Sequence, residues 1–133
     1  MESCVFCKVV SGNIPAEKIY EDQDTLAFFD IHPVNPGHIL VISKQHHTNL
    51  YDLPSHLLSS AIATVQKIAT ALSKIADGIN VGQNNGEAAG QVVMHAHFHI
   101  IPRYRGDGLQ HWHGHPYNER EAKILAKKIK SLL

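Results

Sequence analysis

The run Met94-His95-Ala96-His97-Phe98-His99-Ile100-Ile101 restricts the architecture more than any other part of the chain. Read as a strand, it sends His95, His97 and His99 to one face and Ala96, Phe98 and Ile100 to the other. Successive imidazoles then stand about 6.5 to 7 Å apart. The apolar alternates mark the opposite face as buried, so the strand belongs inside a sheet with a helix packed against it. A single histidine on the open face would be an ordinary solvated position. Three in alternation are costly to desolvate without partners and point to chemistry. One such chemistry is metal binding, since two or three strand histidines can ligate zinc or iron. That reading wants a nearby carboxylate or an open coordination position, and the strand supplies neither.

The other segments provide partners for this strand. Val5 to Val10 suits a short helix ended by Ser11-Gly12-Asn13, with Pro15 blocking its continuation. Ile19 to Glu21 and Thr25 to Asp30 read as strands around the turn residues Asp22, Gln23 and Asp24. Two prolines and a glycine make His32 to Gly37 a loop, and His38 to Ser43 reads as a buried strand. Asp52 and Pro54 offer a cap and a first-turn residue for a long helix. Its apolar positions Leu58, Ala61, Ile62, Val65, Ile68, Ala69, Leu72 and Ile75 keep helical spacing, and Gly78 stops it.

Ile79 to Gln83 is a further strand, the polar loop Asn84 to Gln91 follows, and the histidine strand spans Val92 to Pro102. A last helix begins at Asn118, with Glu121 completing a capping box, and buries Ala122, Leu125, Ile129 and Leu132. The expected fold is α+β: an antiparallel sheet of about five strands with one long helix and a C-terminal helix, as a single domain over residues 1–133.

Twelve basic residues balance twelve acidic ones, so there is no broad positive field for nucleic acid, and any phosphate is held locally. Apolar runs such as Ile39 to Ile42 fall far short of the roughly 20 residues that cross a bilayer. The N-terminus lacks a basic region followed by an apolar signal segment. The expected setting is cytoplasmic, with neither nucleic acid nor membrane as partner. Cys4 and Cys7 form a C-x-x-C, which in a reducing compartment suggests a metal half-site or a redox pair. The redox alternative is the weaker one, because no strand precedes the motif to present it at a helix start. Eleven histidines are an excess of the side chain that titrates near neutrality and most often binds metals.

Taken together, these blocks resemble the histidine-triad family. His95-Ala-His97-Phe-His99-Ile-Ile matches that family's alternation of histidine with apolar residues. Cys4-Val-Phe-Cys7-Lys-Val-Val-Ser-Gly-Asn-Ile-Pro15, Ala27-Phe-Phe-Asp30-Ile, Gly37-His-Ile-Leu-Val-Ile and Asn84-Asn-Gly-Glu-Ala-Ala-Gly-Gln91 are similar to the corresponding blocks of its small bacterial members. The similarity covers about residues 4 to 105 of the chain.

The resemblance implies a hydrolase or transferase that cleaves at the α-phosphate of purine nucleotides of the adenosine phosphoramidate type, with an AMP-like product. It makes His97 the nucleophile, forming a transient nucleotidyl-histidine, and takes the carbonyl that orients it from the residue matching His95. A neutral imidazole whose Nδ1-H is held in this way presents its Nε2 lone pair outward. His99 and His38 match positions beside the phosphate, Asn84 and Gln91 match its polar loop contacts, and Asp30 matches the carboxylate on the ribose. Phe6, Val9, Ile14, Phe28 and Ile31 match the apolar slot for the base. The chain departs from one branch of the family at Val92, where that branch has a hydroxyl near the leaving group.

Cys4, Cys7, His46 and His95 match a structural zinc site seen in some members, a donor set suited to tetrahedral zinc. No catalytic metal is expected. Family members are typically homodimers paired through the long helix and a sheet edge. Competing functions are a dinucleoside polyphosphate hydrolase with the same His97 chemistry, a non-catalytic nucleotide-binding regulator, and a metal-dependent hydrolase or oxygenase. His111-Trp-His-Gly-His115 has spacing that could bind a metal and otherwise reads as an exposed loop.

Overall fold

Side chains in the middle of the chain are apolar on both faces of a strand, as a sheet covered on both sides requires. In β2 (Thr25–Phe29) and β3 (Ile39–Ser43) all residues except Phe29 are buried. The computed structural model describes residues 3–133, and among them the elements run α1 (Val5–Val10), β1 (Lys18–Glu21), β2, β3, α2 (Ser55–Leu72), β4 (Gly78–Gln83), a 3-10 turn at Glu87–Ala89, β5 (His97–Arg103) and α3 (Glu119–Leu132). The five strands form one antiparallel sheet in the order β1-β2-β3-β5-β4. The α+β architecture expected from the sequence is the one observed. No helix among the described residues is long and apolar enough to cross a membrane.

The period-two pattern sorts the core into two layers. Ala27, Ile39, Val41, Phe98 and Ile100 face α2, where Ala61, Val65 and Ile68 cover them. Leu26, Phe28, Leu40 and Ile42 face the other way and pack with Phe6 and Val9 of α1. Each such side chain removed from water contributes about 1.5–3 kcal/mol, so both layers are strongly held. Register does the rest. Leu40 pairs with His99 and Ile42 with His97, which puts both imidazoles on the α1 side of the sheet.

Several boundaries differ from the sequence expectation, each for a local reason. The histidine strand starts at His97 rather than Val92. Before it, the His95 N–H donates to the Val93 carbonyl at 2.9 Å and the Ala96 N–H to the His47 carbonyl at 2.7 Å, which takes residue 95 out of the ladder. Asp52 does not cap α2, whose N-cap is Pro54 with no side-chain bond. The Asp52 carboxylate instead accepts from the Thr48 and Asn49 N–H groups, closing the preceding turn. The long helix ends at Leu72, and Ile75 is exposed on the turn beyond it. Gly78 opens β4 instead of stopping the helix.

The largest correction is at the C-terminus. Asn118 caps α3 as expected, accepting from the Glu121 N–H at 2.8 Å. None of its residues is buried, however, and Leu125, Ile129 and Leu132 are 38%, 57% and 77% exposed. The helical spacing was read correctly, but within one chain no surface meets that face.

Candidate active site and metal centre

β5 delivers two imidazoles to one end of a cavity of about 370 Å³ between α1 and the sheet. Their protonation is settled by neighbours that leave no choice. His97 Nδ1 lies 2.6 Å from the His95 carbonyl, an acceptor only, so this nitrogen carries the proton and Nε2 keeps its lone pair. His38 is set the opposite way. Its Nδ1 accepts the Val34 N–H at 3.0 Å, so in the neutral ring the proton is on Nε2, which donates to His99 Nδ1 at 3.0 Å. His99 then carries its own proton on Nε2. His97 therefore offers a bare nitrogen and its neighbour His99 an N–H, on rings whose centroids are 5.0 Å apart. The two ring planes meet edge to face, at 67°.

Burial keeps these rings neutral. It lowers the His97 pKa against the opposing pull of the His95 carbonyl and Asp30, and it lowers that of His38 against Asp30. His99 is pushed down to about 4, first by burial and then by His97 and His38. The unfolded chain, with His99 near 6.5, takes the proton more readily than the folded one. The stability this ring contributes is therefore complete above about pH 6.5 and is lost as pH falls toward 4. The melting temperature should fall on the order of 5 °C between about pH 7 and pH 5, once solvent screening of the half-buried ring is allowed for. Circular dichroism melts of wild type and His99→Asn test this, the variant having the shallower fall; equal slopes would dismiss a buried neutral His99.

The cavity gathers most of the residues singled out from the sequence. Phe6, Val9, Ile14, Phe28 and Ile31 line its apolar part, and Asp30, His97 and His99 its polar end. Asp30 sits with Oδ2 3.7 Å from His38 Nε2, while Oδ1 accepts the His32 N–H at 2.8 Å. Sequence reasoning missed Leu40, Gly90 and Val93, which also line the cavity. Leu40 was recoverable from register, since it is the direct partner of His99.

Three residues stand back from the cavity. His38 is 3% exposed with both nitrogens engaged, so it touches the cavity's lining only through His99 and Asp30. Gln91, 2% exposed, spends its amide on the backbone. Its Oε1 accepts from the Gly86 N–H at 2.9 Å, and its Nε2 donates to the Thr48 and Val93 carbonyls at 2.6 and 3.1 Å. It thereby ties the loop from Gly86 to Val93 to the turn before α2. Asn84 is half-buried just before that loop, its Nδ2 3.6 Å from where a Cβ on Gly90 would sit. Gly90 has φ +91°, a left-handed conformation that a side chain would strain.

A second cluster lies under the first turn of α1. The ligand atoms of Cys4, Cys7, His46 and His95 all fall within 4.8 Å of one another, and the four residues could hold a metal ion. Cys4 Sγ and Cys7 Sγ lie 3.4 and 3.6 Å from His95 Nδ1, and Cys7 Sγ 3.3 Å from His46 Nδ1. Bond lengths of about 2.3 Å to sulfur and 2.0 Å to nitrogen give tetrahedral S···N edges of about 3.5 Å, so the donors fit zinc. The tautomer fits as well. His95 Nε2 lies 2.7 Å from the Ser43 carbonyl and must carry the proton, which leaves the Nδ1 lone pair aimed at the sulfurs. Burial, and then the neighbouring Cys4, push the Cys7 thiol up, so a bound cation would be what keeps it ionised. By contrast, His111, Trp112 and His113 lie in an exposed segment without regular structure, as does His115.

Comparison with known proteins fits this geometry. The HIT domain family matches residues 11–106. An uncharacterized HIT-like protein of Methanocaldococcus jannaschii is 50% identical over 106 residues, covering 79% of this chain and 82% of that protein. The adenosine 5′-monophosphoramidase of Schizosaccharomyces pombe is 40% identical over 132 residues, covering 97% of each. Among solved structures, a zinc-bound histidine triad family protein from Mycobacterium smegmatis superposes with a TM-score of 0.79 at 41% identity, over 98% of this chain and 96% of that one. With the family pattern reaching from the end of α1 past β5, and relatives matching over most of its length, the chain belongs to the HIT family.

Proposed function

We propose that this protein is a nucleotide hydrolase that cleaves at the α-phosphate of purine nucleotides, adenosine phosphoramidates foremost, through a nucleotidyl-histidine on His97. The observation that carries the reading is the complementary tautomers of two neighbouring rings that line one cavity, His97 with a lone pair on Nε2 and His99 with an N–H on Nε2. The first can form a bond to phosphorus as the bond to the leaving group breaks, and the second can donate to the non-bridging oxygen that gains charge. Water then displaces the imidazole, a good leaving group, and AMP departs. Asp30 is placed to accept from ribose hydroxyls, and the apolar part of the cavity suits a purine.

The monophosphoramidase name of the yeast relative at 40% identity supports the same chemistry. Release of AMP from adenosine 5′-phosphoramidate, followed by chromatography, tests it, with turnover expected in the presence of a chelator of free divalent metal. No release from this substrate or from dinucleoside polyphosphates would leave a binding role only. Val92, 88% exposed at the cavity mouth, offers no hydroxyl to a leaving group. This favours a dinucleoside polyphosphate as the runner-up substrate.

The four-residue cluster we assign to structural zinc, on its donor set and the zinc-bound relative. Free thiols in that set suit a reducing, cytoplasmic setting. Homodimerisation is the remaining part of the proposal. Val81 on the edge strand β4 and Ile62 on α2 are 51% and 46% exposed, and the apolar face of α3 is uncovered. α3 also carries five cations against two carboxylates, which leaves the rest of this neutral chain net acidic and complementary to it. Light scattering should give a mass near twice 14.7 kDa, and Val81→Asp with Ile62→Asp should shift it toward one chain. A monomeric wild type would dismiss the pairing.

A further inference from the structure

His95 serves two sites at once. Its side chain is one of the four candidate metal ligands, and its carbonyl takes the His97 Nδ1–H at 2.6 Å. The peptide between His95 and Ala96 is gripped again from its other edge, where the Ala96 N–H donates to the His47 carbonyl at 2.7 Å. His47 directly follows His46, which is itself a member of the cluster. One ligand thus supplies the carbonyl that decides the tautomer of His97, and the chain neighbour of a second holds the N–H of the same peptide plane. That peptide also lies outside the sheet, since β5 begins at His97. No interstrand ladder bond holds it.

We propose that the Cys4, Cys7, His46 and His95 cluster is a positioning device for His97: drawing these ligands together around a metal ion fixes the His95–Ala96 peptide plane, and with it the tautomer and aim of the His97 ring. A structural ion would then govern catalysis without touching substrate. When the ligands relax, the carbonyl can turn, the Nδ1 proton loses its only acceptor, and the ring distributes between tautomers. In the wrong tautomer Nε2 carries a proton and cannot attack. Without the ion, His95 keeps its bond from Nε2 to the Ser43 carbonyl at 2.7 Å and its packing against Phe6, but nothing draws its Nδ1 toward the sulfurs as tightly as a shared cation would. The catalytic part of this inference rests on His97 being the nucleophile, as proposed above; the geometric part does not.

The test reads the His97 ring directly. Two-bond ¹H–¹⁵N correlation spectra at about pH 8, where the imidazoles are neutral, report the tautomer in zinc-loaded protein, in chelator-treated protein and in His46→Ala. The loaded form should show one Nδ1–H tautomer, and the two unloaded forms a mixture. In parallel, kcat for adenosine 5′-phosphoramidate should drop at least tenfold in the unloaded forms, with KM within twofold.

His46→Cys is the conservative rescue. The liganding atom of His46 is the near nitrogen Nδ1, close to where a cysteine sulfur would sit, so zinc-loaded His46→Cys should regain both the single tautomer and the rate. An unchanged His97 tautomer in folded, unloaded protein overturns the proposal. So does outright unfolding of every unloaded form, which would make the cluster a staple and nothing more. A tautomer change without turnover of any nucleotide would sink the hydrolase reading while leaving the positioning device in place.

Discussion

His97→Ala is expected to lower kcat for adenosine 5′-phosphoramidate by about 10⁴-fold or more, the scale on which removal of a covalent nucleophile acts. The loss is expected in kcat rather than KM, because in the proposed reaction the ring meets phosphorus only as the bond forms, with ground-state affinity assigned to Asp30 and the apolar residues that line the cavity. The substitution also deletes a buried ring that packs edge-on to Phe6, with centroids 5.2 Å apart, so a stability cost of about 1–3 kcal/mol should accompany it. A melt therefore belongs beside the assay. The decisive companion is acid-quenched mass spectrometry during turnover: wild type should carry a nucleotidyl adduct on the peptide containing His97, and the variant none. Residual activity within tenfold of wild type would remove His97 from the role of nucleophile, whatever the adduct data show.

The second large effect concerns the metal centre. Wild-type protein is expected to hold about one zinc per chain, and Cys7→Ala to lose most of it while its melting temperature drops by roughly 10 °C or more. The argument is one of leverage. α1 is only six residues long, too short to be stable alone, and yet Phe6 and Val9 from it close the core on the cavity side of the sheet. Its N-cap is Cys4, whose sulfur accepts the Cys7 N–H at 3.4 Å. An ion joining both cysteines to His46 and His95 would tie this helix to the segments just after β3 and just before β5, adding its binding free energy to folding. Metal content by plasma emission and thermal melts decide the matter. A metal-free wild type that melts like the zinc-supplemented protein would show that hydrogen bonding alone suffices.

What could be read from the sequence divides along a physical line. The alternation of His97, Phe98, His99 and Ile100 gave the correct faces, because period two is a property of any strand and both neighbours, β3 and β4, are regular. Extending the strand itself back to His95 failed, although its ring still lies on the α1 side, packed on Phe6 as His97 is. Nothing in the local pattern shows that the Ala96 N–H leaves the ladder for His47, a bond across some fifty residues of chain. The apolar slot on α1 and β2 was identified through family blocks, since Phe6, Val9 and Phe28 look like ordinary core and are in fact buried. The supporting roles of His38 and Gln91 were out of reach for a related reason. A motif marks a position as special without saying whether its side chain faces substrate or faces a backbone carbonyl. α3 shows the reverse case, where correct periodicity predicted burial that one chain cannot provide.

The neutral imidazole pair also implies an unusual response to ionic strength. Among the described residues lining the cavity there is no lysine or arginine, and the one carboxylate, Asp30, is of the wrong sign for a phosphate. An anion would be held by oriented N–H dipoles rather than by countercharge, so few bound counterions are exchanged and no long-range field draws the ligand in. Raising salt from about 50 to 500 mM should therefore change kcat/KM by less than about twofold, where a site built on several cations would lose far more. Such an enzyme meets its substrates by unassisted diffusion and selects them by shape, equally in dilute and in salty surroundings.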